Sequence, residues 1–488
     1  MIGRLAELAS ARPDDVAFAD VMSARTFRLL HDDGCALAAQ LEPGALVAAL
    51  LPSGVPFTTL QLAALEAGAT FFPLPPDATA TELRHAFALA RPDLVVLGAD
   101  GKGGDALEDA LAEATPHAAF GERLPGHAAR AGLDAAMVQL TSGSTGRPKG
   151  VLLTARALEA GVGDAAPFAE ALAGRALFSP MPQYHAMGGA LVLEHLLHGV
   201  GVHVEARFVP GDDLRRMLEA RVALLAGPPA YFRTLLRLGL FRKELPGLRA
   251  LLLGSAAAER ELLTGLREAL PAASLHLRYG LSETFGSLTR ADVEAGAPLP
   301  ERGFVGRPLG SVHLAPLPTL AEPAVELRAA GPTVAEASLH AEGRRELRDV
   351  EGFFPTGDVA HGDEGGVHLR GRSSEMIKRF GFRVDPSEIE QLLVGHPSVR
   401  DAVVLPVPDP LAGSAIVACV DAPPNAESEL RARCVEHLGP RKRPQRFVFP
   451  ETFPRTPAGK PDRAALRRLL EPSPATASPA SSTERASP

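Results

Sequence analysis

Short apolar runs alternate with longer helical stretches from residue 45 to about residue 310. The apolar runs have the length of β-strands, and the stretches between them have the length and composition of helices. The runs are 46–51, 94–97, 137–140, 223–226 and 250–253, and two of the helical stretches are 212–220 and 259–269. This alternation predicts an α/β fold built from layers of sheet and helix.

The pattern changes beyond residue 372. Ser387, followed three residues later by Glu390, forms a capping box that predicts the start of a helix running through Leu393. Two strand-like runs follow, at 399–407 and 415–420. We therefore expect a small, separate α+β domain in this part of the chain.

These patterns predict a large N-terminal domain over 1–371, a small C-terminal domain over 376–471 and a tail over 472–488. The tail is rich in Pro, Ala and Ser and contains two charged residues. Because it has few large apolar groups to bury, we expect it to be disordered.

Composition narrows the class of protein. The 488 residues are 46% hydrophobic and 22% charged, which is typical of a globular protein with a large core. The net charge of −8, without a basic block, argues against a nucleic-acid partner. No run of 18 apolar residues and no signal peptide is visible, so we expect no membrane span and a cytoplasmic location. Cys35, Cys419 and Cys434 lack metal-ligand spacing and predict no zinc site.

Segment 138–151 holds glycines, hydroxyl side chains and one lysine between two apolar runs. Glycines let backbone N–H groups turn toward an anion, hydroxyls donate further hydrogen bonds, and Lys149 supplies a positive charge. A Walker loop is excluded because Lys149 follows Pro148 and the next residues have the pattern of a strand. The segment favours a phosphate-binding loop, and a plain linker is the alternative.

The order Thr-Ser-Gly-Ser-Thr-Gly-x-Pro-Lys-Gly, from Thr141 to Gly150, resembles the phosphate loop of the adenylate-forming ligases. That superfamily includes acyl- and aryl-CoA synthetases, peptide adenylation domains and luciferases. The resemblance spans roughly residues 20–470 and implies a large N-terminal domain of layered sheets and helices with a small mobile C-terminal domain. It implies that ATP binds through Thr141, Ser142, Gly143, Ser144, Thr145, Gly146 and Lys149.

Residues 278–284 resemble the family's Tyr-Gly-x-Thr-Glu motif and follow a strand-like run, so they lie where α/β folds bind ligands. The resemblance implies that Tyr279 stacks on adenine and that Gly280 belongs to the same nucleotide contact. Ser282 stands for the usual Thr that binds the α-phosphate. Glu283 is the implied ligand of Mg²⁺, a hard cation that suits carboxylate and phosphate oxygens.

The chain departs from the family pattern at a position that bears on recognition of the adenine base. Leu277 stands where many members have a polar contact to adenine. We therefore expect recognition of the base to depend on backbone groups of 254–258, with Gly254, Ser255 and Ala256 as nucleotide contacts.

Two further motifs follow in family order. Residues 354–358 resemble the family's Thr-Gly-Asp, which implies that Asp358 accepts hydrogen bonds from the ribose hydroxyls. Residues 371–378 resemble the motif that joins the two domains, so Arg372 is implied to bind ribose or α-phosphate and 372–375 to form the hinge. Ser374 takes the pivot position, where the family usually has Asp or Lys, and a small polar residue still permits rotation.

The last motif, Pro454-Arg-Thr-Pro-Ala-Gly-Lys460, resembles the family's Pro-x-Thr/Asn-x-x-Gly-Lys. The resemblance implies that Lys460 enters the site for adenylation and bridges the substrate carboxylate and the α-phosphate. A lysine there neutralises charge as one anion attacks another.

The motifs together imply an acid–thiol ligase. A carboxylate attacks ATP to give an acyl-AMP and pyrophosphate, and a thiol then displaces AMP. The thiol belongs to coenzyme A, or alternatively to the phosphopantetheine arm of an acyl carrier protein. A luciferase-like oxygenase and a non-catalytic acyl or nucleotide binder are the alternatives from other classes.

Residues 181–189 bear on the choice of acid because they contain the family's Pro-x-x-His, ending at His185. Adenylation domains for α-amino acids place an Asp near this point, and this chain has Ala186 after the histidine. A buried substrate ammonium would therefore lack a partner. His185 is a candidate gate of the acyl pocket, with a core histidine as the alternative. The other expected wall segments are small or apolar, which favours an aryl or alkyl acid; they are Tyr231, 254–257 and 281–285.

Overall fold

The structure is a computed structural model. It describes residues 2–98, 133–142, 148–205, 210–242, 245, 247–372, 377–379, 382–384, 386–409, 413–438, 442–456 and 459–470. The chain divides into two compact units, Met1–Arg370 and Gly371–Pro488. The predicted tail over 472–488 and the predicted pivot Ser374 lie outside the described residues.

The first unit contains helices and strands in alternation. Its helices are α1 (Ile2–Ala11), α2 (Phe27–Ala38), α3 (Val55–Glu66), α4 (Ala80–Leu89), α5 (Ala155–Ala169), α6 (Ala186–Leu196), α7 (Pro210–Glu219), α8 (Pro229–Arg237) and α9 (Arg260–Ala269). Its first strands are β1 (Val16–Ala19), β2 (Ala24–Thr26), β3 (Leu46–Leu50), β4 (Thr70–Pro73), β5 (Leu94–Leu97), β6 (Met137–Ser142), β7 (Pro148–Leu153), β8 (Ala176–Ser179), β9 (Gly201–Val204) and β10 (Val222–Gly227). The remaining strands are β11 (Ala250–Leu253), β12 (Ser274–Tyr279), β13 (Thr289–Val293), β14 (Phe304–Pro308), β15 (His313–Leu314), β16 (Val325–Ala330), β17 (Ala337–His340), β18 (Gly343–Glu346), β19 (Phe354–Asp363) and β20 (Gly366–Arg372).

These strands form two large sheets. One has 13 strands in the order β15-β16-β19-β20-β14-β13-β12-β11-β10-β8-β9-β1-β2, and the other has seven in the order β18-β17-β7-β6-β4-β3-β5. In the larger sheet β12, β11, β10, β8, β9 and β1 run parallel to one another. Parallel strands are buried on both faces, which explains why their sequences are continuous apolar runs rather than alternating ones.

The core of the first unit lies between sheets and helices. Large aromatic side chains fill it, and those of Phe18, Phe27, Phe57 and Phe71 are at most 1% exposed. The rings of Phe57 and Phe71 meet edge to face with centroids 5.3 Å apart, a favourable geometry for aromatic pairs. The same core includes residues of both sheets, such as Val47 of β3 and Leu177 of β8.

The second unit is a small α+β body. Its strands are β21 (Ile377–Arg379), β22 (Phe382–Val384), β23 (Asp401–Asp409), β24 (Gly413–Asp421) and β25 (Arg446–Val448), and its helices are α10 (Pro386–Val394), α11 (Glu427–His437) and α12 (Arg463–Leu470). β23 and β24 pair antiparallel and β25 pairs parallel with β24. Ile389, Leu393 and Leu430 pack with these strands in a core of their own.

The predicted fold class is confirmed, and one local prediction is wrong. Helix α10 begins at Pro386, so Ser387 lies inside the helix and is not its N-cap. Proline suits the first helical position because its φ is already helical and its missing N–H is not needed there. The Glu390 carboxylate accepts hydrogen bonds from Val404 N and from Arg463, both at 2.7 Å.

Among the described helices, none has the length and apolar content needed to cross a membrane.

Candidate active site

Four segments that carry predicted site residues follow the carboxyl ends of parallel strands, which form one edge of the larger sheet. β8, β10, β11 and β12 are consecutive parallel strands, so their carboxyl ends lie side by side. The segments that follow these ends are 180–185, 228–231, 254–258 and 280–288. Ligands of open α/β sheets bind at this edge. The topology therefore assembles parts of the chain that are distant in sequence.

The loop after β12 is fixed by hydrogen bonds of its own. The Thr284 hydroxyl accepts a hydrogen bond from Leu281 N at 3.2 Å and donates to Leu281 O at 3.0 Å. Ala335 N donates to Glu283 O at 2.9 Å. Ser282 is half-buried on the same turn. The backbone that presents Ser282 and Glu283 is thus held from two sides.

Lys149, predicted to bind the phosphates of ATP, and Glu283, predicted to bind Mg²⁺, meet in the structure. Lys149 lies on β7 opposite Thr141 of β6. Its Nζ is 2.5 Å from Glu283 Oε1, and the two side chains are only 19% and 13% exposed. The pairing joins the strand after the predicted phosphate loop to the loop after β12, and it places a cation directly against the Glu283 carboxylate.

The Glu283 carboxylate fits the Mg²⁺ that the family resemblance implies. It already faces a positive charge, and a carboxylate oxygen is the ligand that Mg²⁺ prefers. Over the described ranges, no group of three or more His, Cys, Asp or Glu side chains could hold a metal. Mg²⁺ commonly takes its other ligands from phosphate oxygens and water, so a single protein carboxylate suits it.

Tyr279 and Asp358, the predicted adenine and ribose contacts, are also in contact. The Tyr279 hydroxyl donates to Asp358 Oδ2 at 2.6 Å, and Asp358 is 7% exposed. Asp358 N donates to Thr356 Oγ1 at 3.1 Å, and the Thr356 hydroxyl donates to Leu327 O at 2.7 Å. Gly357, between them, has a φ of 77°, a conformation that favours glycine. This turn holds the Asp358 carboxylate beside the Tyr279 ring.

We expect Tyr279→Phe to weaken both the fold and nucleotide binding. The variant removes the hydroxyl that donates to the Asp358 carboxylate while keeping the ring for stacking, so a largely buried acceptor loses a partner, at a cost of about 1–2 kcal/mol. Urea unfolding and the KM for ATP measure the two effects, and we expect the KM to rise several-fold.

The control for this prediction is a double-mutant cycle with Asp358→Asn. If the two side chains act together, the effects of Tyr279→Phe and Asp358→Asn will not add. Strict additivity of the two effects on the KM for ATP would contradict a shared role.

The segment before α6 carries His185 at the start of a buried helix. His185 is the N-cap residue of α6, its N–H donates to Pro182 O at 3.1 Å, and its ring centroid is 4.7 Å from that of Tyr184. Burial, with a smaller contribution from Asp77, raises the pKa of Tyr184 to about 12, so its hydroxyl stays neutral. Gln139 Nε2 donates to Tyr184 O at 3.0 Å and ties this segment to β6.

Met187, which sequence reasoning missed, links this segment to the turn after β11. The Ser255 hydroxyl donates to Met187 Sδ at 3.0 Å. A Cβ at Gly254 would lie 2.6 Å from Met187 Cε, so a larger residue there would require the Met187 side chain to move. Ser255 itself has a φ of 67°, which is uncommon for a residue other than glycine. Ala256 is exposed on the same turn. The position of Met187 in the first turn of α6, beside the histidine motif, is the sequence signal that could have identified it.

The structure leaves part of the predicted site undescribed. Gly143, Ser144, Thr145 and Gly146 and the side chains of Ser142 and Arg372 lie outside the described residues. Arg372 ends strand β20. In the second unit Lys460 is exposed, and its carbonyl accepts a hydrogen bond from Thr456 N at 2.7 Å. The roles given to these residues remain predictions.

Comparison with known proteins places two family models on the chain. The model described as AMP-binding enzyme matches residues 5–317, and the model described as AMP-binding enzyme C-terminal domain matches residues 388–460. The first match covers more than half of the chain and contains the four segments at the sheet edge.

Several proteins similar to this chain are coenzyme A ligases. The chain is 31% identical to sulfoacetate–CoA ligase of Cupriavidus necator, over 91% of this chain and 92% of the relative. It is 29% identical to a 4-coumarate–CoA ligase-like protein of Oryza sativa subsp. japonica, over 88% of this chain and 80% of the relative. Among solved structures, o-succinylbenzoate CoA synthetase from Bacillus subtilis, in complex with an acyl-adenylate intermediate, has the same fold, with a TM-score of 0.80 at 22% identity over 96% of this chain and 98% of that one.

Proposed function

The chain belongs to the AMP-binding enzyme family, and from this we propose the reaction and the residues that carry it. The protein is an acid–thiol ligase that uses ATP to activate a carboxylic acid as an acyl-AMP, releases pyrophosphate and passes the acyl group to coenzyme A. The observation that supports this reading best is the pair of contacts at one sheet edge, Lys149 with Glu283 and Tyr279 with Asp358.

ATP binds, in this proposal, along the edge formed by the segments after β11 and β12. Tyr279 offers its ring to adenine, the neighbouring backbone at Gly254 and Ser255 recognises the base, and Asp358 accepts hydrogen bonds from the ribose. Lys149 leaves its present partner and contacts the phosphates, and Ser282 donates to the α-phosphate. Mg²⁺ at Glu283, when bound, neutralises phosphate charge and so makes the α-phosphorus open to attack by an anion.

Adenylation brings two anions together, and Lys460 is the residue that relieves their repulsion. A positive charge placed where negative charge develops stabilises the transition state more than the ground state. The remaining contribution to catalysis is the positioning of the substrate carboxylate in line with the α-phosphorus. Arg372 is the proposed second contact to ribose or α-phosphate. No covalent enzyme intermediate is required.

The acid, we propose, is an aryl or alkyl acid without a second charge. The segment 180–188 contains no Asp, Glu, Lys or Arg, so it offers no partner for a substrate ammonium or sulfonate. Tyr184, His185 and Met187 instead present aromatic and thioether surfaces. The rice relative is named for an aryl acid, which this surface suits; the Cupriavidus relative is named for a sulfonated acid, which it does not.

Carboxylate-dependent exchange of labelled pyrophosphate into ATP tests the reaction and the acid class together. The panel contains benzoates, cinnamates, short and medium fatty acids, amino acids and sulfoacetate. We expect exchange with an aryl or alkyl acid and none with amino acids. Exchange with amino acids alone would overturn the proposed acid class. If folded protein that still binds ATP shows no pyrophosphate exchange with any acid of the panel, the result would favour the non-catalytic binder.

The acceptor is tested with the acid that supports exchange. Free coenzyme A and a carrier protein bearing phosphopantetheine are supplied separately, and the thioester is identified by mass. We expect the coenzyme A thioester. Acylation of the carrier alone would favour the alternative, a carrier-loading ligase. We propose a cytoplasmic location, where ATP and coenzyme A are both available.

A further inference from the structure

A buried ion pair that no step of the proposed reaction uses lies behind the nucleotide loop. Arg278 Nη1 and Nη2 donate to the two carboxylate oxygens of Glu194, each at 2.7 Å. The side chains are 9% and 1% exposed. A bidentate pair of this kind fixes direction as well as distance, because the guanidinium is planar and both of its N–H bonds are used.

The pair joins the two parts of the site that must act together. Glu194 lies on α6, the helix that begins directly after His185 and carries Met187. Arg278 is the residue before Tyr279 at the end of β12. The pair therefore ties the acyl side of the site to the strand from which the nucleotide loop departs.

Arg278 also holds the far end of the same loop. Its Nε donates a hydrogen bond to the Ser287 hydroxyl. Arg278 thus connects the two ends of the loop 280–287. It lies just before the loop in the sequence, and its guanidinium binds Ser287 at the end of the loop. Leu288 N donates to Tyr279 O at 2.8 Å and closes the loop a second time through the backbone.

The Glu194 carboxylate is packed directly against this loop. A Cβ at Gly286 would lie 2.6 Å from Glu194 Oε1, and Gly286 has a φ of 79° that favours glycine. A small cavity beside the pair is lined by Glu194, His195, Arg278, Ser287 and Arg290. Because the Glu194 carboxylate both pairs with Arg278 and packs against Gly286, loss of its charge would release the guanidinium and the loop together.

The other charged groups nearby do not replace either partner. Burial lowers the pKa of His195 to about 4, so its imidazole is neutral at pH 7. Arg290 donates to Asp292 at 2.8 Å. Arg278 is consequently the cation that balances Glu194.

We propose that Glu194 and Arg278 are positioning residues for adenylation. They fix the position of the loop carrying Ser282 and Glu283 relative to helix α6. The inference rests on the proposed function. Neither residue touches substrate in it; both act through the backbone of 280–287. An error of about 1 Å in the placement of reacting groups is enough to cost about 10²-fold in rate.

The test compares Glu194→Gln with Glu205→Gln. Glu205 is another buried glutamate, 5% exposed, and is paired with Arg216. It follows β9, four strands from β12 in the sheet order, or roughly 20 Å away at about 4.8 Å per strand. Both variants break a buried ion pair of the same unit, so both are expected to lower Tm. Only Glu194→Gln is expected to slow pyrophosphate exchange.

The expected result is at least a 10-fold lower kcat for exchange in Glu194→Gln, with the KM for ATP and acid within about threefold of wild type. That split marks an interaction needed in the transition state rather than in binding. Glu205→Gln should keep kcat within twofold. Equal kcat losses in the two variants, assayed below both Tm values, would overturn the proposal.

Further variants separate a positioning role of the Glu194–Arg278 pair from its contribution to the stability of the fold. Arg278→Lys keeps the charge and loses the bidentate geometry, so a partial recovery of kcat relative to Arg278→Met is expected. The double variant Glu194→Leu with Arg278→Met replaces the pair by apolar groups, which often restores stability. We expect its Tm to recover while kcat stays low, and recovery of kcat together with Tm would show a purely structural role.

These outcomes are distinct from failure of the proposed function. If wild-type protein exchanges no pyrophosphate with any acid of the panel, the ligase proposal fails and the variants are not needed. If wild type exchanges and Glu194→Gln behaves like Glu205→Gln, the ligase proposal stands and the positioning role is wrong.

Discussion

Lys460→Ala is expected to slow carboxylate-dependent pyrophosphate exchange by about 10²–10³-fold while leaving the protein folded. Removal of one preorganised group that stabilises developing charge typically costs that much in kcat. Lys460 is exposed on the second unit, so its truncation removes little packing. Exchange assays at saturating ATP and acid, with Tm as the measure of folding, check the prediction.

The second half-reaction is the internal control for this variant. Lys460 is proposed to act in adenylation alone, so thioester formation from supplied acyl-AMP and coenzyme A should stay within about threefold of wild type. Lys442→Ala is the matched lysine control, since Lys442 belongs to the same unit and pairs with Glu388 at 2.7 Å. Equal loss of both half-reactions in Lys460→Ala would contradict a role confined to adenylation.

The elements of the larger sheet could be predicted from sequence because burial on both faces leaves a strong local signal. The run at 250–253 coincides with β11, and 223–226 lies within β10. The runs are apolar throughout because both faces of these strands are covered, and such a signal is contained in a few consecutive residues. The segments at their carboxyl ends were identified for the same reason, since their motifs are short and continuous.

The contacts within the site could not be predicted in this way. The hydrogen bond from Tyr279 to Asp358 spans 79 residues, and that from Arg278 to Glu194 spans 84. A pairing at that separation depends on sheet order, and no local pattern encodes it. Met187 was missed because a methionine on an apolar helix has the pattern of a core residue; its contact with Ser255 follows from the meeting of α6 with the turn after β11.

The error at Ser387 has a related cause. A capping box is recognised by spacing alone, and Glu390 has the right spacing. In the structure its carboxylate is taken by Val404 N and Arg463, which come from other elements. Tertiary partners have replaced the local one, and Pro386 supplies a better start for the helix.

Glu283→Gln is expected to lower pyrophosphate exchange by about 10²-fold or more, since it removes the proposed Mg²⁺ ligand and leaves the side-chain volume unchanged. The loss should be partly recovered at high Mg²⁺ concentration, because an amide oxygen is a weaker ligand for this ion than a carboxylate. The assay is the exchange rate over a range of Mg²⁺ concentrations at fixed ATP.

A second effect of Glu283→Gln must be separated from the first. Lys149 loses its carboxylate partner, and at 19% exposure a lysine without that carboxylate costs on the order of 1–3 kcal/mol of folding free energy. The double variant Lys149→Met with Glu283→Gln removes both charges and should recover much of that stability. Because Lys149→Met also removes the proposed phosphate contact, the exchange rate of the double variant is compared with that of Lys149→Met alone. If the carboxylate serves the metal, the double variant is the slower of the two. If it exchanges no more slowly than Lys149→Met, Glu283 serves to hold Lys149 in the fold and its role at the metal is wrong.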